Sequence, residues 1–365
     1  MKITLSCIKA DIGSIGGHIT PSKEVIEAVK KYIKSNGSGI ILDFHIFYTG
    51  DDIAILMSHT FGKLAEPVHK LAFEAFMTAT TIAKEQGLYG AGQDLLKTAF
   101  SGNVKGMGPC VAEIEFNERP NEPFVLFMAD KTDPGAFNLP LYLSFADPFH
   151  NAGLIISPKM DKGFKFKIMD VSYTKADRVI TLSAPEELYD IAALLRDLET
   201  YIVESISSRN SQEPAAVVST TRLHNIAGTY TGKDDPISLV RTQGEFPATG
   251  EVLSPYALTP YVAGFMRGSH NGPLMPCKLF STISYFDGPP IVTGAAMCVH
   301  NGKLTEYADV FDHPMWDKVR ERAAEKALYI REQGFFGCAM LPMSELEYGG
   351  IVEKLKKLAK KFKVV

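Results

Sequence analysis

The chain has 365 residues, 45% of them hydrophobic and 22% charged, with a net charge of −4. That content suits one large domain or two ordinary ones and excludes a disordered chain or a strongly basic nucleic-acid-binding surface. No apolar run approaches the ~20 residues of a membrane span. The five cysteines (Cys7, Cys110, Cys277, Cys298, Cys338) are scattered with no C-x-x-C pair, which reads as reduced, mostly core residues of a cytoplasmic protein.

Met1 to Ala10 lacks the long apolar stretch and small-residue cleavage site of a signal peptide. Ile3, Leu5, Cys7 and, at the end, Lys9 alternate with Thr4, Ser6 and Ile8, so the start reads as a strand. It runs into Asp11-Ile12-Gly13-Ser14-Ile15-Gly16-Gly17-His18, whose glycines let Asp11 and His18 face one point. A loop with a stray histidine fits the same residues. Thr20 as N-cap and Pro21 at the first position open a helix with Val25, Ile26, Val29, Tyr32 and Ile33 inward, stopped by Asn36-Gly37. A second strand over Ile40 to Tyr48 ends in Thr49-Gly50-Asp51-Asp52, before a third apolar run from Ile53 to Met57. Adjacent aspartates between strands repel unless a cation or water lies between them; Gly-Asp also suits a plain hairpin turn.

Glu66 to Gln86 is a long amphipathic helix with Val68, Leu71, Ala72, Ala75, Phe76, Ala79 and Ile82 inward, a structural His69, and Gly87 at its end. Gly-rich loops follow at Tyr89–Asp94 and Ser101–Gly106, with backbone N–H groups suited to a phosphate. Cys110–Phe116 and Pro123–Ala129 read as paired strands, the second ending in Asp130-Lys131-Thr132-Asp133. Further strands are expected at Leu154–Ile156, Phe164–Val171 and Val179–Leu182. A long helix follows from Pro185 to Ser207, with Leu188, Ile191, Ala192, Leu195, Leu198, Ile202 and Ile206 on one face.

Val217 to Arg222 leads to Gly228-Thr229-Tyr230-Thr231-Gly232-Lys233-Asp234-Asp235-Pro236. This stretch has a phenol and an amine for Schiff-base chemistry, and carboxylates for a metal. It is also good composition for a solvated turn. In an extended chain Lys233 and Asp234 project to opposite sides, and a twist at Gly232 exchanges them. Strands at Ile283–Phe286, Ile291–Val299 and Leu304–Val310 follow, then a helix from Pro314 to Gln333 ended by Gly334. A last short helix carries six lysines between Lys354 and Lys363, read as a solvated face and not a membrane or nucleic-acid contact.

Asp11, Asp51, Asp52, Asp130, Asp234 and Asp235 all lie in loops at strand ends. Such a set, with one histidine and no metal-binding cysteines, favours several hard cations, magnesium first and manganese second.

The motifs Asp11-x6-His18, Gly50-Asp51-Asp52, Tyr89-Gly90-x-Gly92-Gln93-Asp94, Ala129-Asp130-Lys131-Thr132 and Thr229 to Pro236 together closely resemble the bifunctional fructose-1,6-bisphosphate aldolase/phosphatase family. The resemblance runs from Met1 to about Tyr348. It implies an α+β fold: a four-layer α-β-β-α sandwich forming a single domain over 1–365, assembled as a homo-octamer. It implies a Schiff-base Lys233, a proton-donating Tyr230, and several Mg2+ per active site on Asp11, His18, Asp51, Asp52, Gln93, Asp130, Asp234 and Asp235. It implies substrate contacts from His18, Tyr89, Gly102, Asn103, Lys131, Gln243, Gly244, Arg267, Asp287 and Tyr348. The reaction implied is condensation of dihydroxyacetone phosphate with glyceraldehyde 3-phosphate to fructose 1,6-bisphosphate. Hydrolysis of the C1 phosphate then gives fructose 6-phosphate, a gluconeogenic direction. The alternatives are a magnesium-dependent sugar bisphosphate phosphatase without aldolase activity, and a non-catalytic sugar-phosphate binder, against which six loop aspartates argue.

Overall fold

The computed structural model describes residues 1–95, 108–173, 175–222, 234–262, 272–283, 289–332 and 350–365. Helices and several sheets are mixed along the chain in an α+β architecture. β1 (Lys2–Ala10) is buried from Ile3 onward and lies at the centre of a five-stranded antiparallel sheet. β2 (Asp43–Thr49) and β3 (Asp52–His59) form a hairpin on one side of it. β4 (Cys110–Asn117) pairs on the other side.

β5 (Glu122–Asp130) belongs to a second sheet of eleven strands. There it lies between the long strand Ile291–His300 and, further along the chain, residues 237–241. β6 (Phe164–Asp170), β7 (Arg178–Ser183), β8 (Tyr201–Ser208) and β9 (Pro214–Val218) extend this sheet. β10 (Thr221–Arg222) returns to the first sheet and pairs with β4, and β11 (Ile237–Arg241) sits between β5 and β9.

Three apolar clusters follow from strand alternation. Ile3, Leu5 and Cys7 of β1 join Phe124, Leu126 and Met128 of β5 and Leu239 of β11 in one cluster. The opposite side chains of β1, Ile8 and Ala10, join Val25, Val29, Val68 and Phe76 of α1 (Lys23–Asn36) and α2 (Glu66–Glu85). The opposite side chains of β5, Val125, Phe127 and Ala129, join Phe137, Ile191, Tyr256 and Trp316. A strand buried on both faces reads as a continuous apolar run, as Phe-Val-Leu-Phe-Met-Ala does in β5. Each buried Val, Leu, Ile, Phe or Met among them contributes about 1.5–3 kcal/mol, so the ends of β1 and β5 are firmly fixed.

Several expectations need correction. α1 is capped by Ser22, whose Oγ accepts from Val25 N at 3.3 Å, and not by Thr20. Thr20 instead bridges to Ile15 as part of the preceding loop. The strands at Cys110 and Pro123 are not partners: β4 pairs with β1 and β10, β5 with the second sheet. Their short connection crosses between sheets, so they share a core cluster without sharing a ladder. Leu154–Ile156 lies in the one-turn helix Gly153–Ile156, closed by Ser157 N donating to the Gly153 carbonyl.

The long helix from Pro185 is only Leu188–Leu195, and β8 follows it. Asp197 Oδ1 accepts from Glu199 N and Thr200 N, making a side-chain turn that ends the helix. The run Tyr201-Ile202-Val203 then pairs with β6, where its aromatic and β-branched residues pack well. Leu304–Val310 holds only the short pieces Lys303–Leu304 and Ala308–Asp309. The expected strand at Ile283–Phe286 and the stop at Gly334 fall largely or wholly outside the described residues.

His69 is structural, as expected. Its Nε2 lies 2.9 Å from Glu113 Oε1, which also accepts from Ser6 Oγ at 2.7 Å. Cys7, Cys110 and Cys277 are buried free thiols and Cys298 is exposed. Among the described residues, no helix is long and apolar enough to cross a membrane.

Candidate active site

Strand register brings four acidic loops to one place. Ala10 faces Ile53 across the β1–β3 ladder, so Asp11 leaves β1 beside Asp52, the first residue of β3. Asp51 is in the two-residue turn before it, since Thr49 pairs with Asp52. On the second sheet, Asp130 ends β5 and Ile237 of β11 pairs with Met128. Ala129 N donates to the Pro236 carbonyl and Asp235 N to the Thr132 carbonyl, which set Asp235 beside Asp130.

Two groups of ligand atoms result, Asp11, His18 and Asp51 in one and Asp52, Asp130 and Asp235 in the other. Within each group the atoms lie within 4.8 Å of one another. His18 Nδ1 is 3.0 Å from Asp51 Oδ2 and 3.5 Å from Asp11 Oδ2. Lys131 Nζ bridges the groups, 2.6 Å from Asp51 Oδ1 and 2.9 Å from Asp130 Oδ1. Lys9, buried at the end of β1, pairs with Asp52 and donates to the Ala129 carbonyl at 3.2 Å. Gly50 has φ +57, and a Cβ there would overlap Asp130 Oδ2. Glycine is what lets the hairpin turn lie directly on that carboxylate.

The electrostatics are those of crowded carboxylates. Burial, then Asp51, pushes Asp11 up to about 7 despite the His18 contact. Burial likewise pushes Asp130 up to about 7, with Asp51 and Asp52 adding to it against the pull of Lys131. Burial and Asp234 hold Asp235 well above the carboxylate range. Burial opposes ionisation of Asp51 too, but Lys131 and His18 outweigh it and hold its carboxyl below the usual range. His18 rises to about 10, because Asp11 and Asp51 overcome its burial. Five carboxylates thus face three basic side chains, and Asp130 Oδ2 is buried with no hydrogen-bond partner among the described residues. That oxygen and the excess acidic charge suit hard divalent cations bound by oxygen.

The family model for fructose-1,6-bisphosphatase matches residues 2–363. A fructose-1,6-bisphosphate aldolase/phosphatase of Thermus thermophilus is 55% identical over 362 residues, covering 99% of this chain and all of that protein. The protein of the same description from Ignicoccus hospitalis is 49% identical, covering 100% of this chain and 94% of its own. That from Methanothermobacter marburgensis is 47% identical, covering 99% of both. The chain belongs to the fructose-1,6-bisphosphate aldolase/phosphatase family. Among solved structures, a proposed chlorite dismutase matches 69% of this chain and 98% of its own at 13% identity and a TM-score of 0.23, too low to bear on the fold.

Of the residues that the family resemblance singles out, the structure brings together Asp11, His18, Asp51, Asp52, Asp130, Lys131 and Asp235. Asp234 adjoins Asp235 and acts on its charge. Tyr89 meets His18 edge-on at 5.1 Å, and its backbone pairs with Ser14. Gln93 is in the same loop, where its N–H donates to the Gly90 carbonyl. Gln243 and Gly244 lie past the far end of β11 from Asp235, and the strand alone separates them by about 13 Å. Gly102, Asn103, Tyr230, Lys233, Arg267, Asp287 and Tyr348 lie outside the described residues.

Two site residues escaped sequence reasoning. Lys9 continues the inward face of Ile3, Leu5 and Cys7, and a lysine on an apolar face was the available signal. Asp94 Oδ2 accepts from Asp11 N at 2.9 Å, fixing the turn out of β1; the motif Tyr89–Asp94 includes this residue but gives it no role.

A pH dependence follows. A carboxyl must lose its proton to ligate a metal, and Asp11 and Asp130 hold theirs up to about 7 in the cation-free protein. Acidification therefore opposes cation binding. Mg2+ affinity should fall roughly tenfold per pH unit below 7 for each proton displaced. Calorimetric titration at pH 6 and pH 8 checks this; equal affinities would contradict it.

Proposed function

We propose that this protein is a bifunctional enzyme of gluconeogenesis. It condenses dihydroxyacetone phosphate with glyceraldehyde 3-phosphate, then hydrolyses the C1 phosphate of the fructose 1,6-bisphosphate formed. The observation that carries the reading is the pair of buried acidic groups at the meeting point of two sheets, in a chain about half identical to aldolase/phosphatases over its full length. The fold is read as one catalytic domain in four layers, α-β-β-α; three core clusters on the faces of two sheets support it.

Asp11, His18, Asp51, Asp52, Gln93, Asp130, Asp234 and Asp235 hold several Mg2+ ions. Bound there, Mg2+ supplies Lewis-acid polarisation of the phosphate and an acidified water. The protein's own groups do the rest. Lys131 is buried with its ammonium on Asp51 and Asp130. It stays charged, since Asp130 and Asp51 outweigh burial, and it offers a cationic contact to phosphate. In the state where His18 holds no cation, its imidazolium, supported by Tyr89, donates to substrate oxygen. Gly102, Asn103, Arg267, Asp287 and Tyr348 complete the sugar-phosphate contacts.

In the aldol step the Lys233 amine attacks the ketone carbon of dihydroxyacetone phosphate and water leaves, forming the imine. Tyr230 moves the proton as the enamine adds to the aldehyde. The chain works as a homo-octamer. Gln243 and Gly244, at the far end of β11, are read as further contacts to the sugar phosphate.

The test is removal and return of the cation. EDTA should abolish hydrolysis of fructose 1,6-bisphosphate, and Mg2+ should restore it, with Mn2+ second. Restoration by Zn2+ alone would count against this donor set.

A further inference from the structure

β2 ends the order of its sheet, and among the described residues no strand pairs with its outer edge. The turn carrying Asp51 therefore hangs from a sheet edge, where local opening is cheapest. Residues 278–283 lie against that edge. Gly50 N donates to the Ser281 carbonyl at 2.9 Å, and Leu279 N donates to Asp309 Oδ2 at 2.8 Å.

Between these anchors Phe280 has φ +63, a conformation that bulky residues rarely adopt and that clusters at functional sites. Its ring stacks on Phe47 with centroids 6.2 Å apart and an 18° interplanar angle. The same ring lies 5.2 Å from Tyr48. Phe47 and Tyr48 are successive residues of β2, so their side chains project to opposite faces. A single ring that meets both wraps around the free edge of the strand. Tyr307 adds a third ring at 6.3 Å.

We propose that Phe280 and the Ser281 carbonyl clasp the β2–β3 hairpin and so position Asp51 and Asp52 to bind divalent cations. The proposal rests on reading those carboxylates as cation ligands. Phe280 is a positioning residue: it acts through β2 and Gly50, the residue that lies on Asp130. The left-handed backbone at 280 is what turns the ring back over the edge while leaving the next carbonyl aimed at Gly50 N.

Mn2+ binding to the cation-free full chain, read from the free-ion electron paramagnetic resonance signal, tests this without reference to turnover. Supporting groups around a metal site typically change affinity 10- to 100-fold. Phe280→Ala should therefore bind Mn2+ at least about tenfold more weakly, and Phe280→Tyr should bind as the wild type does. Phe280→Gly accepts the left-handed backbone but lacks the ring, and should weaken binding like alanine. A purely structural role would lower Tm in the alanine variant and leave its Mn2+ affinity unchanged. That result, or wild-type affinity in the glycine variant, overturns the proposal. Should the alanine variant not fold, Phe280→Leu, which keeps an apolar side chain but no ring to stack, is held to the same criterion. Asp52→Asn separates the two readings: if it also binds Mn2+ at wild-type strength, the cation-site reading itself fails.

Discussion

Asp52→Asn should lower Mg2+-dependent hydrolysis of fructose 1,6-bisphosphate at least about a hundredfold, because losing one electrostatic contact to a developing charge typically costs ~3 kcal/mol. Asp52 begins β3, is buried, and shares a ligand group with Asp130 and Asp235. Asparagine keeps the shape and a carbonyl oxygen for Lys9 while removing the charge. Asp52→Ala would also leave the Lys9 ammonium buried without its partner, a change that commonly costs 3–5 kcal/mol of stability. The two variants therefore differ in kind: asparagine should lose activity with a small change in Tm, and alanine should lose both. Near wild-type hydrolysis in Asp52→Asn, with unchanged Mg2+ dependence, would mean that the Asp51-Asp52 turn is only structural.

The larger effect is expected on the other half of the reaction. Lys233→Ala should reduce triose condensation below detection, because no other amine in residues 228–236 can form the imine. The attacking amine must be neutral. Adjacent carboxylates favour the charged form of an amine, while burial and nearby cations favour the neutral one. Asp11, Asp51, Asp52 and Asp130 remain in the variant, so part of the hydrolysis should survive. Tyr230→Phe should slow condensation more than hydrolysis, since it removes only a proton carrier. Borohydride reduction with dihydroxyacetone phosphate should leave a stable adduct on Lys233 that peptide mass spectrometry locates. Condensation by Lys233→Ala would remove the aldolase reading and leave the phosphatase alone.

The acidic turns were legible because each follows an apolar strand, and the hairpin reading of Gly50-Asp51 was right about the local geometry. It stood as an alternative to a functional role, yet the two are compatible: the tight turn is what places Asp51 beside His18. α1 and α2 were legible from their apolar spacing. The misreading of β8 has a simple cause. Leu198, Ile202 and Ile206 are spaced by four, which suits a helix of period 3.6 and also one face of a strand of period 2. The partition of β4 and β5 between sheets was not legible, because adjacent strands in sequence usually pair and nothing local marks a crossing. The meeting of Asp52 with Asp130 depends on strands of two different sheets coming together, a long-range fact with no sequence spacing. The same holds for Phe280: its role appears only when its ring is seen beside both faces of β2.

The most direct test of two chemistries in one protein starts from the two triose phosphates alone. The purified full chain, given dihydroxyacetone phosphate, glyceraldehyde 3-phosphate and Mg2+, should release fructose 6-phosphate and inorganic phosphate in equal amounts. Hydrolysis of added fructose 1,6-bisphosphate by a preparation that leaves the triose phosphates unconsumed would contradict the bifunctional account.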